Sequence, residues 1–317
     1  MEITSLHITE AHKRIYPFIH RTPVLTSAAL NKISGAELFC KCENFQKIGA
    51  FKIRGAMNAV TSLPKEKLQN GIATHSSGNH AQAIAYAARQ TGAKAYVVMP
   101  DNSPKVKVDA VKDYGAEITF CEPTQQARET TLQQIVHNTG AEFIHPYNDY
   151  RVITGQATCA KELIEEIPSL NCIIAPVGGG GLLSGTCLSA EYFLPSALLY
   201  AGEPEGAADA VLSLRSGKIE TAPYINTIAD GLLTKLGDKT FPIIRQKVIE
   251  IFTVSDKEII AALKLVYERM KIVIEPSGAV PLAALLKHKE KFNGRKVGII
   301  FSGGNVDLSL ISGWIKG

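Results

Sequence analysis

The sequence predicts an α/β protein built on largely parallel sheets, with a small domain inserted into a larger one. Three observations carry that prediction. Short β-type runs alternate with segments whose apolar residues recur every three to four positions. The 317 residues allow about two domains at roughly 150 residues each. Three strand ends carry a similar turn of small polar residues or glycine, and ligands of open parallel sheets bind beyond the carboxyl ends of strands.

In order, strands are expected over 37–42, 71–74, 94–99, 117–121, 142–145, 172–177, 198–201 and 296–301, and helices over 79–90, 105–114, 125–137 and 151–167. The unit from 71 to about 149 holds four strand-plus-helix repeats, so residues 62–149 read as the small domain, with 1–61 and 150–317 forming the large one. Composition excludes other classes. With 45% apolar and 20% charged residues, 26 Gly and 15 Pro, the chain is neither disordered, collagenous nor a coiled coil. No run approaches the roughly 18 apolar residues of a membrane helix, so no membrane partner is expected. Met1-Glu2-Ile3-Thr4 opens no secretory leader, and the cytoplasm is the expected compartment. A net charge of +4 without a basic run argues against nucleic acid. Cys40, Cys42, Cys121, Cys159, Cys172 and Cys187 form no C-x-x-C and are expected to be free, mostly buried thiols.

Gly178, Gly179, Gly180 and Gly181 stand between an apolar strand and a helical run. Backbone N–H groups converging at a helix N-terminus hold a phosphate without a cation, although a tight turn would need one such glycine. A Gly-Lys-Ser/Thr nucleotide loop is absent, and the dinucleotide fingerprint fails at Leu183. Glu203 lies where a ribose-binding acid would, which keeps a nucleotide-dependent oxidoreductase as the reading from another class. In Phe51-Lys52-Ile53-Arg54-Gly55 a lysine sits between an aromatic residue and glycine. Lysine forms an imine with an aldehyde once burial or a nearby cation lowers its pKa, and Arg54 is the nearest cation in sequence; most lysines, however, are solvated. Ser76-Ser77-Gly78-Asn79-His80 marks a strand-to-helix junction that could bind a carboxylate or merely cap the helix. Glu203 and Asp209 could bind a hard cation or be two solvated acids.

Together Lys41-Cys42-Glu43-Asn44-Phe45-Gln46-Lys47, Phe51-Lys52-Ile53-Arg54-Gly55-Ala56, Ser76 to His80, Gly178 to Gly181 and Ser302-Gly303-Gly304-Asn305-Val306-Asp307 resemble the pyridoxal-phosphate enzymes of the serine/threonine dehydratase and serine racemase family. The resemblance runs from His20-Arg21-Thr22-Pro23 to the C-terminal strand. It implies the tryptophan-synthase-β fold type, with open twisted sheets in two domains and the cofactor in the cleft between them. It also implies Lys52 as the Schiff-base lysine, Phe51 beside the ring, Asn79 on the ring hydroxyl, Gly178 to Gly181 around the phosphate and Ser302 at the pyridine nitrogen. Ser76, Ser77, Asn79 and His80 would surround the substrate carboxylate, and Glu203, the Ala207 carbonyl and Asp209 would hold a divalent cation (Mg2+, Mn2+ or Ca2+).

The implied activity is dehydration of L-threonine or L-serine to a 2-oxo acid and ammonia by a homodimer. Ser77, in place of alanine, would add racemase activity from the face opposite Lys52. A serine racemase or a 3-hydroxyaspartate dehydratase is the alternative within the fold, and a catalytically dead binding protein stands outside it. Ala50 replaces the family's usual serine, and Ile48 replaces a threonine of the nucleotide-effector site. Although Arg269-Met270-Lys271 and Glu275 match that site, ATP activation is not expected. The chain stops at Gly317 without a regulatory domain, so isoleucine feedback is not expected either.

Overall fold

Strands form where β-branched and apolar residues run together between turns, and helices where the apolar period lengthens to three or four. The computed structural model describes residues 3–103 and 105–316. Its first elements are α1 (Ser5–Ile15), β1 (Val24–Leu25), α2 (Ala28–Ser34), β2 (Glu37–Cys42), α3 (Lys52–Thr61), α4 (Lys65–Gln69), β3 (Ile72–His75) and α5 (Asn79–Thr91). Then come β4 (Ala95–Pro100), α6 (Lys105–Asp113), β5 (Glu117–Cys121), α7 (Gln125–Thr139), β6 (Glu142–Phe143), α8 (Tyr150–Glu166), β7 (Cys172–Pro176) and α9 (Gly181–Phe193). The last are β8 (Leu198–Pro204), α10 (Asp209–Ser216), α11 (Thr240–Lys247), β9 (Glu250–Val254), α12 (Asp256–Leu265), α13 (Pro276–Lys287), β10 (Lys296–Phe301) and α14 (Leu308–Lys316).

Six strands form one sheet in the order β1-β2-β10-β7-β8-β9, all parallel except β1 against β2. Strand β7 is buried along its whole length, because successive side chains alternate between two cores. Cys172 and Ile174 face the core that includes Val280, Ala283 and Ala284 of α13, while Ile173 and Ala175 face Leu163 of α8 and Leu183 of α9. A second, fully parallel sheet has the order β5-β4-β3-β6. Helix α3 shares its apolar face with this smaller sheet: Ile53, Ala56, Met57 and Val60 pack with Ile72, Ile84 and Ala87.

In each sheet the connection order reverses beside a central strand, between β10 and β7 in one and between β3 and β6 in the other. The glycine turn follows β7, the Ser302 turn follows β10 and the Ser76 turn follows β3, as expected of ligand-binding crevices in open sheets.

Two strands lie outside the expected set, the two-residue β1 and the edge strand β9. The run Glu250-Ile251-Phe252-Thr253-Val254 carried the signal for β9, and pairing with β8 makes it a strand. Strand β8 continues to Pro204 instead of ending near Ala201, so Glu203 sits inside the sheet and not in a loop. All six cysteines are free, five of them buried and Cys121 partly so. No helix among the described residues is long and apolar enough to cross a membrane.

Candidate active site

Lys52 is the first residue of α3, and the segment before it is clamped to the turn after β10. Phe51 N donates to Ser302 O at 3.0 Å, Gly304 N donates to Gly49 O at 2.9 Å, and Ala50 bridges Gly303. Gly49 has φ +70°, and a Cβ there would stand 2.5 Å from Asn305 Oδ1, so a larger residue would strain the backbone and displace the Asn305 amide. Ile48 has φ +58°, a conformation costing a β-branched residue about 1–3 kcal/mol, and Asn305 Nδ2 holds its carbonyl at 2.7 Å. The Lys52 amine donates to Pro146 O at 3.0 Å and lies 5.2 Å from the Phe51 ring centre. Burial lowers its pKa to about 8, against a partial offset from Glu275. Arg54 has no part in that shift. Its guanidinium is fully buried between Glu43 and Glu162, which corrects the expectation drawn from its closeness in sequence.

The N–H groups of Gly178, Gly179, Gly180 and Gly181 are buried and find no protein acceptor among the described residues. Buried backbone donors are nearly always paired, so this helix N-terminus is built for a ligand. The glycines themselves answer to packing. A Cβ on Gly179 would stand 2.4 Å from the Tyr147 ring, one on Gly178 would stand 2.9 Å from the Leu232 backbone, and Gly180 has φ +88°. Tyr147 follows Pro146, so a single turn after β6 touches both the lysine and the glycine loop.

At the start of α5, Ser76 Oγ accepts from Gly78 N at 3.3 Å, whereas the Ser77 hydroxyl and the N–H groups of Ser77, Asn79 and His80 have no protein partner among the described residues. His80 places its ring in the interior. Its Nε2 lies 3.3 Å from Ile144 O, and burial together with the Lys52 charge holds it well below the usual histidine range. The backbone N–H and the buried ring Nδ1 of His80 are both left without a protein partner among the described residues. Asn79 Nδ2 donates to Glu275 at 3.0 and 3.2 Å, and its Oδ1 accepts from Asn305 Nδ2 at 2.8 Å. Ser302 is buried, and no protein group bonds its hydroxyl among the described residues. Burial and the Asp230 charge raise Glu275 to about 7.

Glu203 and Asp209 are buried, so they are not solvated acids. Glu203 accepts from Ala210 N at 2.7 Å and Val211 N at 3.0 Å, and Asp209 accepts from Leu236 N at 3.2 Å. Burial nevertheless pushes Glu203 up to about 8 and Asp209 up to about 7. Ala207 lies buried in the turn between them. The described residues hold no group of three or more His, Cys, Asp and Glu suited to a metal. Sequence reasoning missed Pro146 and Tyr147, which the strand-end rule would have found after β6, and gave no site role to Asn305.

A family profile described as pyridoxal-phosphate dependent enzyme matches residues 15–303. The serine racemase of Dictyostelium discoideum is 52% identical over 314 residues, covering 98% of this chain and 97% of that protein. The beta-hydroxyaspartate dehydratase of Paracoccus denitrificans is 51% identical over 298 residues, covering 94% and 95%. The crystal structure of a T.th. threonine deaminase superimposes with a TM-score of 0.92 at 40% identity, covering 96% of this chain and 99% of that one. The nucleotide-dependent oxidoreductase reading falls with these matches, and the chain belongs to the pyridoxal-phosphate dependent enzyme family.

Proposed function

We propose that this enzyme dehydrates L-serine and L-threonine to a 2-oxo acid and ammonia, with serine racemisation as a companion activity. The observation that carries the reading is the buried, acceptor-free N–H set of Gly178 to Gly181, joined through the Pro146-Tyr147 turn to a lysine whose pKa is about 8. The residues present fit pyridoxal phosphate: four donors for the phosphate, an unpaired hydroxyl on the buried residue Ser302 for the ring nitrogen, Phe51 and Asn79 at the ring, and Lys52 for the aldehyde. When bound, the cofactor supplies an aldehyde that condenses with amines and a conjugated ring that accepts the electrons of a broken Cα–H bond.

The chain supplies the rest. The amine of Lys52, free in a substantial fraction near pH 8, takes the Cα proton. The N–H groups at the start of α5, with Ser76, hold the substrate carboxylate as a helix N-terminus holds an anion. The unpaired Ser77 hydroxyl exchanges a proton at the opposite face of Cα, which elimination does not need and racemisation does. Glu203, the Ala207 carbonyl and Asp209 fit a divalent cation, because two buried carboxylates with raised pKa values lack a bonded counter-charge among the described residues. We assign residues 62–149 to the small domain, with 1–61 and 150–317 as the large one. The enzyme is a homodimer, as the resemblance implies, and six free thiols suit the cytoplasm.

One observation favours 3-hydroxyaspartate as a second substrate. Lys107, paired with Asp230, places its amine 3.9 Å from where a Cβ on Gly78 would stand, beside the carboxylate turn, and the Paracoccus denitrificans relative is a dehydratase of that type. The test is reconstitution with pyridoxal phosphate. The protein should turn yellow and borohydride should abolish the visible band. Lys52→Ala should bind the cofactor without a borohydride-fixable bond and lose several orders of magnitude in turnover. A protein that stays colourless overturns the reading. L-serine, L-threonine and 3-hydroxyaspartate scored for 2-oxo acid and D-amino acid rank the substrates. Ser77→Ala should abolish D-serine formation and spare dehydration; equal loss of both would make Ser77 a positioning residue.

A further inference from the structure

Behind Lys52 lies a charged cluster that the chemistry above does not use. The side chains of Lys41, Glu43, Arg54 and Glu162 are wholly inaccessible, two of each formal charge. Arg54 Nε and Nη2 donate to Glu43 at 2.7 and 2.8 Å, and Nη1 and Nη2 each donate to Glu162 at 2.8 Å. Lys41 and His12 complete Glu162 at 2.7 and 3.0 Å, and Thr22 completes Glu43 at 2.5 Å. The cluster ties α1, β2, α3 and α8 together. A buried ion pair seldom adds net stability over apolar packing of the same shape, and its best-attested use is to impose register.

The register in question is that of α3 on α8. The helices cross at close range: a Cβ on Gly155 would stand 2.4 Å from Arg54 O, and one on Gly55 would stand 2.3 Å from Nε2 of Gln156, whose Oε1 accepts from Gly55 N at 3.2 Å. Lys52 opens α3, while its acceptor Pro146 lies four residues before α8. At about 100° per residue, Lys52 and Arg54 point to nearly opposite sides of the helix. One faces the cleft and the other the clamp.

We propose that Arg54 is a positioning residue: by fixing the rotation of α3 against α8 through Glu162 and against the turn after β2 through Glu43, it sets where the Lys52 amine stands. The inference rests on Lys52 being the cofactor lysine. Its route is geometric, since two carboxylates neutralise the guanidinium and burial accounts for the lowered affinity of Lys52 for its proton.

The test compares the wild-type holoenzyme with Arg54→Met and Arg54→Lys; the lysine variant keeps the charge, loses the two-sided fork and serves if Arg54→Met does not fold. Each is measured well below its melting temperature. Expected for Arg54→Lys is a kcat for L-serine dehydration reduced tenfold or more, with KM changed less than threefold. Its visible band should be weaker at saturating pyridoxal phosphate. In cofactor-free protein the pH midpoint for acetylation of Lys52 should stay within about half a unit of wild type, because displacement of about 1 Å costs rate without needing a change of field. A folded variant with lower melting temperature but wild-type kcat and band would make the cluster a structural cross-link only. A rise of one unit or more in the acetylation midpoint would make the effect electrostatic. Both overturn the proposal. A wild type without a visible band overturns instead the cofactor reading on which it rests.

Discussion

Glu43 and Glu162 are buried as deeply as Glu203 and Asp209, and the two pairs differ in what faces them. The first pair meets Arg54 and Lys41 at 2.7–2.8 Å. Burial alone would raise Glu162, but the guanidinium, His12 and Lys41 hold it well below the usual carboxylate range. The second pair is hydrogen-bonded by backbone N–H groups, and burial raises Glu203 to about 8 and Asp209 to about 7. A buried carboxylate pair with its cations inside the chain is a finished structural unit; one without them is open to a cation from outside.

The largest expected effect breaks the finished pair. Glu162→Ala leaves Lys41 and Arg54 facing a single carboxylate, which should cost about 3–5 kcal/mol and lower the melting temperature by roughly 10 °C. A loss under about 2 °C would show that the cluster does not depend on its charge balance, and the contrast with the open pair would fail.

The open pair should respond to pH with a definite sign. Glu203 and Asp209 hold protons in the folded state up to about 8 and 7, whereas the unfolded chain releases them near 4. Their stabilisation is therefore complete below about pH 4 and is lost as pH rises through 7 and 8. Chelated protein should melt markedly lower at pH 8.5 than at pH 5, and Mg2+, Mn2+ or Ca2+ should restore more at pH 8.5 than at pH 5. Thermal scans with and without chelator read this directly. A chelated profile that is flat over that range, with no gain from any of the three cations, removes the site.

The smallest effect sharpens the contrast. Glu203→Gln in chelated protein at pH 5 should leave the melting temperature within about 2 °C, since the amide stands in for a carboxyl already protonated. The same variant should lose its response to added cation. A fall comparable to that of Glu162→Ala would mean that the ionised carboxylate is part of the fold.

These contrasts mark what could be read in advance. Lys52, Ser77, the glycine turn and Ser302 could be picked out as candidates because each stands at a strand end or helix start, where chain geometry exposes backbone and side chain to a ligand. Strand β9 was legible and passed over. Arg54 was misread because nearness in sequence says nothing about direction on a helix, and two residues of helix turn a side chain to the other face. His80 was placed in a substrate-binding turn, and what the motif alone could not tell is that its ring is buried with Nε2 on Ile144 O and Nδ1 unpartnered.

The amino-acid sequence by itself determined the alternation of strands and helices, the family, and the residue types at the candidate site. These follow from local periodicity, from glycine at turns and from short motifs, all carried within a few residues. Only the tertiary structure decided which charges are cancelled and which stand open. Glu162 lies 108 positions from Arg54 and 121 from Lys41, and no local pattern encodes that meeting. Asp209, by contrast, stands close to Glu203 along the chain, with no basic side chain bonded to either among the described residues. Whether a buried carboxylate is structure or site depends on what the fold brings to it from elsewhere, because the cost of burying a charge is settled by its neighbours in space.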